Sequence, residues 1–260
     1  MKNPIALISG GASGIGYDLS KCFAADGYSL IIISRNEANL REAKLSLQNK
    51  YQVDVETITA DLSDIESIPS IFKKIKDQGI QLDALVNNAG FGLLGNFTDL
   101  DTAKQLNMID LNVKALTYMT RLFLDQAPKN AKILNVASMA AYLPGPLMNV
   151  YYASKAYVLS FSEALAEELK ERKITVTVLC PGPVATNFWK VSNPSRTTAP
   201  DVKMMTQLSS EVVAQAGYQG LLRGRQVVIP GVLNRLLIFT NKFLPRSLLN
   251  KIVKKINQKF

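Results

Sequence analysis

Apolar residues in this 260-residue chain fall into short unbroken runs, separated by longer stretches in which they recur every three to four positions. The runs occupy residues 4–9, 29–34, 84–87, 132–137, 175–179 and 226–229, and a further strand-like stretch, 53–59, has polar residues set between its apolar ones. Such runs, bounded by turn-forming residues, read as strands covered on both faces. Between them, a spacing near 3.6 predicts helices over residues 15–25, 38–49, 65–76, 102–126, 151–172 and 210–222. Regular alternation of this kind implies parallel strands joined by crossover helices on both faces of a sheet. The expected fold class is α/β, one doubly wound parallel sheet, with ligands bound beyond the carboxyl ends of the strands.

The first run leads directly into Ser9-Gly10-Gly11-Ala12-Ser13-Gly14-Ile15-Gly16, which opens the first helical stretch. Strand, glycine turn and helix form the setting in which backbone N–H groups cradle a dinucleotide pyrophosphate, favoured by the helix dipole. The spacing is Gly10-x-x-x-Gly14-x-Gly16, not the common G-x-G-x-x-G. Far downstream, Tyr151 and Lys155 stand four apart on a predicted helix and so share a face. An ammonium beside a phenol favours the phenolate and makes tyrosine useful for proton transfer near neutrality. Ser138 is placed to add a hydroxyl. A Tyr–Lys pair at this spacing is also ordinary on helix surfaces, and the glycine turn is what gives it weight. Tyr152 is a rival phenol, but it lacks a lysine at i+4 and lies about 100° around the helix.

Together these features resemble the short-chain dehydrogenase/reductase family, in its single-domain, NADP(H)-type branch with a Rossmann-type sheet. The resemblance runs from about Pro4 to Pro230. Leu85-Val86-Asn87-Asn88-Ala89-Gly90 is similar to the family's strand-four motif, Asp61-Leu62 lies where the family contacts adenine, and Asn112 matches its active-site asparagine. Pro181-Gly182, with Thr186 five residues after Pro181, resembles its nicotinamide loop. The resemblance implies hydride transfer between a nicotinamide and a carbonyl or alcohol carbon. Tyr151 would act as the acid in reduction. Lys155 would lower the phenol pKa and hold the ribose, and Ser138 would bond the substrate oxygen. Asn112, expected at a helix irregularity, would anchor a water that connects Lys155 to solvent. Cofactor contacts would come from Gly10, Ser13, Gly14, Ile15, Gly16, Arg35, Asp61, Leu62, Asn88, Ala89, Gly90, Tyr151, Lys155, Pro181, Gly182, Val184 and Thr186, with Asn87 approaching through its backbone.

The second strand ends Ile33-Ser34-Arg35-Asn36, with no acid to repel a 2′-phosphate and an arginine suited to bind one. NADP(H) is therefore expected over NAD(H), although Arg35 can also be read as a solvated loop residue. Asp61 has a bland reading as a turn or cap residue, unless Ser63 or Asp64 takes that role. Phe91, Leu93, Leu94, Met139, Leu143, Phe188 and Trp189 are candidate pocket residues, mostly apolar, so a hydrophobic substrate is expected: a fatty-acyl, long-chain ketone or steroid-like molecule. Residues 189–205 have the composition of a mobile lid.

Composition narrows the chemistry. With no histidine and two distant cysteines, Cys22 and Cys180, a Ser-His-Asp triad, a His-ligated metal and a thiolate cluster are all excluded, and no metal site is expected. Both cysteines read as packing residues, and residues 1–3 are too short for a signal-peptide core, so a cytoplasmic protein is expected. The net charge of +9 lies wholly in residues 212–260, which carry nine basic residues and no acid; the rest balances 21 against 21. Residues 1–230 are expected to form the catalytic domain and 231–260 a C-terminal extension. Within the extension Leu248, Leu249, Ile252, Val253, Ile256 and Phe260 recur at helical spacing among lysines, a basic amphipathic helix. It could lie on an anionic membrane, pack on the body or meet a partner subunit. Leu159, Phe161, Leu165 and Leu169 are either core or a homodimer or homotetramer face. Nucleic acid is not an expected partner, because the basic residues lack a recognised binding fold. A non-catalytic NADP(H) sensor or membrane-surface scaffold is the alternative to an enzyme.

Overall fold

A computed structural model describes residues 3–184, 186, 188, 192, 207–241 and 243–259. Seven strands, β1 (Ile5–Ser9), β2 (Ser29–Ser34), β3 (Val55–Thr59), β4 (Ala84–Asn87), β5 (Lys132–Val136), β6 (Thr175–Leu179) and β7 (Val227–Val228), form one parallel sheet. Their order is β3-β2-β1-β4-β5-β6-β7. The chain winds outward from β1 to β3, then returns to lay β4 against the other side of β1. Connections leaving β1 and β4 therefore diverge, and a crevice opens at their carboxyl ends.

Strand residues alternate between two cores. Ala6, Ile8, Leu30, Ile32 and Val86 pack with α1 (Gly14–Ala25), α2 (Glu37–Tyr51) and α7 (Ser210–Leu222), through Leu19, Phe23, Leu40, Leu47, Val213 and Leu221. Leu7, Ile31, Ile33, Leu85, Ile133 and Val176 face α3 (Ser67–Asp77), α5 (Leu116–Leu124) and α6 (Asn149–Glu168), through Ile68, Phe72, Ile75, Met119, Phe123 and Leu165. Burial on both faces explains why the strands read as unbroken apolar runs. Each such side chain contributes about 1.5–3 kcal/mol from burial.

Two boundaries differ from the sequence expectation for local reasons. Helix α2 continues to Tyr51 and closes on Gln52, whose left-handed backbone (φ 55°) turns the chain, so β3 starts at Val55 and not Val53. The long helix expected over 102–126 is α4 (Thr102–Ile109) and α5 joined by a π-helical segment, Asp110–Ala115. Leu159, Leu165 and Leu169 are buried in the chain's own core, with Phe161 packed beside them, so the face considered for a subunit contact is interior.

A buried polar chain ties the middle of the sheet together. Asn87 Nδ2 donates to Thr120 Oγ1 (3.0 Å) and to Asn135 Oδ1 (2.9 Å), and Asn135 Nδ2 donates to Ser162 Oγ (2.9 Å). These bonds join β4, β5, α5 and α6. Asn87 thus spends its side chain on the core. Two helices of the extension, α8 (Val232–Asn241) and α9 (Arg246–Asn257), pack on the body through Asn234, Ile238, Leu249, Val253 and Asn257, all buried.

Candidate active site

A cavity of about 390 Å³ lies at the carboxyl ends of the strands. One end is walled by Gly10, Ser13, Gly14 and Ile15 of the glycine turn, by Ile33 to Arg35 after β2, and by Ala60 to Leu62 after β3. Asn88 to Phe91, Leu111, Val136 to Ala140 and Pro181 to Val184 line its middle. The far end is formed by Leu143, Met148, Tyr151, Tyr152, Phe188, Val253 and Ile256. Thr186 and Lys155 also line it. Leu93 and Leu94 do not, and Trp189 and nearly all of the expected lid lie outside the described residues.

The glycine turn is built for close approach. A Cβ on Gly16 would stand 2.2 Å from the Gly10 carbonyl oxygen and 2.3 Å from Asn88 Nδ2. Asn88 Nδ2 donates to the Ser9 and Gly10 carbonyls (both 3.1 Å), while Ser9 Oγ accepts from the backbone N–H groups of Asn88 (3.0 Å) and Ala89 (3.1 Å). Asn88 is therefore a brace for the turn, and these bonds tie the loops after β1 and β4 to each other. Ser13 precedes α1 in extended geometry with no side-chain cap, and no acid occupies the first turn. The first N–H groups of α1 face the cavity without a competing carboxylate, a donor set that fits a pyrophosphate.

At the outer end Arg35 and Asp61 form a half-exposed pair at 3.7 Å. Asp61 Oδ1 accepts from Ser63 N (3.0 Å) and Ser63 Oγ (2.7 Å), so Asp61 does hold the turn after β3, while its other oxygen makes the loose contact with Arg35 and the residue lines the cavity. Burial pushes its pKa up, but the Ser63 bonds and the Arg35 guanidinium outweigh that, and the net shift is downward.

The middle holds the expected catalytic set. Ser138 ends the β5 connection and caps the 3₁₀ turn Met139–Tyr142, its Oγ accepting from Ala140 N at 3.1 Å. The same hydroxyl donates to the Pro181 carbonyl at 3.5 Å, and its nearness to the Tyr151 phenol works to lower the phenol pKa. Burial is the larger effect and raises the Tyr151 pKa well above its ordinary value. Lys155 Nζ lies 5.9 Å from the Tyr151 ring centroid but donates to the Val136 carbonyl at 2.9 Å. The expectation that Lys155 pulls the phenol pKa down is corrected for the protein alone: the ammonium is aimed at β5, and burial dominates both groups. Burial also lowers Lys155 itself to about 8, while the nearby Cys180 works weakly the other way.

Asn112 falls within the π-helical segment, as a helix irregularity requires. π-Bulges shift the register of a helix and recur at functional sites. Its side chain, 1% exposed, accepts from Phe91 N (3.1 Å) and donates to the Phe91 carbonyl (2.9 Å) and to Ser154 Oγ (3.0 Å). It thus pins the loop after Gly90 to the helix carrying Tyr151 and Lys155. Gly90 has to be glycine here, since a Cβ would lie 2.8 Å from Asn112 Oδ1 and 3.4 Å from Lys155 Nζ.

Sequence reasoning missed the contribution of the extension. Val253 and Ile256 of α9 line the cavity, and Asn257 anchors the helix end: Tyr152 Oη donates to Asn257 Oδ1 (3.2 Å), and Asn257 Nδ2 donates to the Pro146 carbonyl (2.8 Å). Buried Asn234 of α8 packs on the nicotinamide-loop glycine, where a Cβ on Gly182 would stand 2.9 Å from Asn234 Nδ2. The only signal for this was the i, i+4 and i+7 spacing of Leu249, Val253 and Ile256, which marks an apolar face without saying what it covers. Among the described residues no cluster of His, Cys, Asp or Glu could hold a metal.

A sequence profile described as short chain dehydrogenase matches residues 4–197. The chain belongs to the short-chain dehydrogenase/reductase family. Members are oxidoreductases acting on carbonyl and hydroxyl groups. The chain is 31% identical over 258 residues to a very-long-chain 3-oxoacyl-CoA reductase of Danio rerio, covering 95% of this chain and 78% of that protein. It is 36% identical over 200 residues to the Rattus norvegicus protein named very-long-chain 3-oxoacyl-CoA reductase, covering 73% of this chain and 62% of that one. A short-chain dehydrogenase from Sphingobium yanoikuyae, solved in complex with NADPH, is 27% identical and superposes with a TM-score of 0.79 over 88% of each chain.

Proposed function

We propose that this short-chain dehydrogenase/reductase reduces a ketone on an apolar, acyl-like substrate, using NADPH, with Asn112, Ser138, Tyr151 and Lys155 as its working set. The observation that carries this reading is the meeting of Ser138, Tyr151 and Lys155 in a cavity whose far end is otherwise mostly apolar, walled by Leu143, Met148, Tyr152, Phe188, Val253 and Ile256. The names of the two curated relatives support a 3-oxoacyl ketone as the first class to try.

The nicotinamide cofactor, when bound, supplies the hydride. The N–H groups opening α1, together with Gly10, Ser13, Gly14, Ile15 and Gly16, would hold its pyrophosphate. Leu62, Ala89 and Gly90 would flank the adenine and ribose side, and Pro181, Gly182, Val184 and Thr186 the nicotinamide side. Arg35 would take a 2′-phosphate by displacing its weak pairing to Asp61. On the substrate, Ser138 Oγ would donate to the carbonyl oxygen and orient it. Tyr151, kept protonated by burial, would give its proton to that oxygen as negative charge develops. Lys155 would face the ribose and the proton path, with Asn112 fixing the geometry between loop and helix.

The test is NADPH oxidation against a panel running from short polar ketones to long-chain 3-oxoacyl thioesters, with NADH in parallel. Turnover should be strongest with the long apolar members and fall at least about a hundredfold in Tyr151→Phe, the usual loss for a missing general acid, but remain in Tyr152→Phe. Tight NADPH binding with no turnover anywhere would favour a sensor over an enzyme. Arg35→Glu should raise the KM for NADPH far more than that for NADH; equal changes would remove the case for NADP(H).

A further inference from the structure

The extension helices have two unlike faces. The inner one is part of the body, as described. The outer one is both apolar and cationic. Eight of the fourteen large apolar side chains exposed among the described residues lie between Val232 and Ile252. On α8 and the turn after it, Val232 (74% exposed), Leu236 (55%), Phe239 (56%) and Phe243 (73%) recur every three to four residues and so form one row. The Phe239 and Phe243 rings meet edge to face, their centroids 5.4 Å apart. The row continues through Leu244, Leu248 and Ile252 into α9. Arg235, Arg246, Lys251, Lys254 and Lys255 flank it, and residues 212–260 contain no acid.

We infer that this ridge seats the protein on an anionic lipid bilayer, with α8 and α9 lying in the plane of the headgroups. Aromatic and aliphatic side chains on one face of a helix, rimmed by lysine and arginine, bury into the headgroup boundary while the cations meet anionic lipid. Among the described residues no helix is long and apolar enough to cross a membrane, so the contact is lateral. A second copy of the chain fits the ridge poorly. A two-fold contact sets a patch against itself, and here cations would face cations with no carboxylate in the segment to pair them. Binding does not depend on which ketone is reduced, or on reduction at all.

Full-length protein is mixed with vesicles of phosphatidylcholine alone or with added phosphatidylglycerol, and bound protein is measured by sedimentation at low and high salt. The wild type is expected on the anionic vesicles only, and less so at high salt. Phe239→Ser with Phe243→Ser should weaken binding at least about tenfold, from lost apolar insertion. Lys251→Glu with Lys254→Glu and Lys255→Glu should weaken it roughly a hundredfold. All these side chains point outward, so circular dichroism and NADPH binding should be unchanged. No binding to anionic vesicles, or binding that ignores both sets of substitutions, overturns the inference. So does light scattering that shows a dimer which the Phe239 and Phe243 changes dissociate, since that gives the ridge to a second copy. Loss of ketone turnover with intact vesicle binding would count against the proposed reaction and leave the ridge assigned.

Discussion

Burial sets the protonation of both groups that would handle the proton, and it acts on them in opposite directions. It raises Tyr151 and lowers Lys155, to about 8. The folded Lys155 therefore binds a proton more weakly than the unfolded one, whose pKa is about 10.4. Between those values the unfolded state holds more protons, so stability rises with pH. A shift of this size is worth about 3 kcal/mol at one unit per 1.4 kcal/mol. The raised Tyr151 acts only above its unfolded pKa of ~10, where it reduces stability, whereas the buried thiols of Cys22 and Cys180, also raised, begin to reduce it above their unfolded pKa of ~8.5. Cofactor-free Lys155→Met should therefore melt higher than the wild type at pH 7.5, and that advantage should shrink by pH 9.5; the difference between the two proteins carries the prediction, because the Cys22 and Cys180 thiols, pushed up by burial to about 11 and about 12, lower the stability of both as pH rises. An advantage of the Lys155→Met protein that does not change with pH would mean that the ammonium is better solvated than its burial suggests. Tyr151 and Lys155 could be picked out in the sequence because their relation is local, four residues on one helix. Their pKa values could not, because these depend on Val136, Ser138 and the depth of the cavity, which only tertiary packing supplies. The turn-holding bonds of Asp61 to Ser63 were legible only as one of two readings, because a carboxylate two residues before a serine can serve a turn and a ligand with different oxygens.

At the scale of elements, the strands were legible because a doubly covered sheet leaves unbroken apolar runs, and the glycine turn because it sits directly between β1 and α1. The π-helical segment carries no mark in its composition; Asp110–Ala115 reads as ordinary helix, and only the resemblance led to an irregularity at Asn112. Helix α9 was legible as an amphipath but not as a wall of the site. Its inward face is held at one end by Asn257, between Tyr152 and Pro146. Removing that amide loosens the wall formed by Val253 and Ile256 without touching Ser138, Tyr151 or Lys155. Asn257→Ala should raise the KM for long-chain ketones several-fold and leave kcat, and the KM for small ketones, nearly unchanged. Such a split separates a specificity wall from a general loss of fold, which would lower turnover for every substrate. The same contacts argue against treating residues 231–260 as an appendage, since α8 packs on Gly182 and α9 on the far end of the cavity.

Over the whole molecule, charge and chemistry are segregated. The body from Met1 to Glu211 is electrically balanced, and seven of the nine net positive charges sit on residues 231–260, whose outer face carries the apolar ridge. That segregation was readable from the sequence, whereas the packing of one apolar face of the same segment on the body was only one of three uses the sequence left open. The buried chain of amides and hydroxyls through Asn87, Thr120, Asn135 and Ser162 has a consequence in time. It threads β4, β5, α5 and α6, which also deliver Asn112, Ser138, Tyr151 and Lys155 or the loops beside them. A buried, mutually bonded network of this kind favours opening as one cooperative unit. In deuterated solvent the amides of these four elements would then share one slow exchange clock, while α8 and α9 keep a faster one of their own.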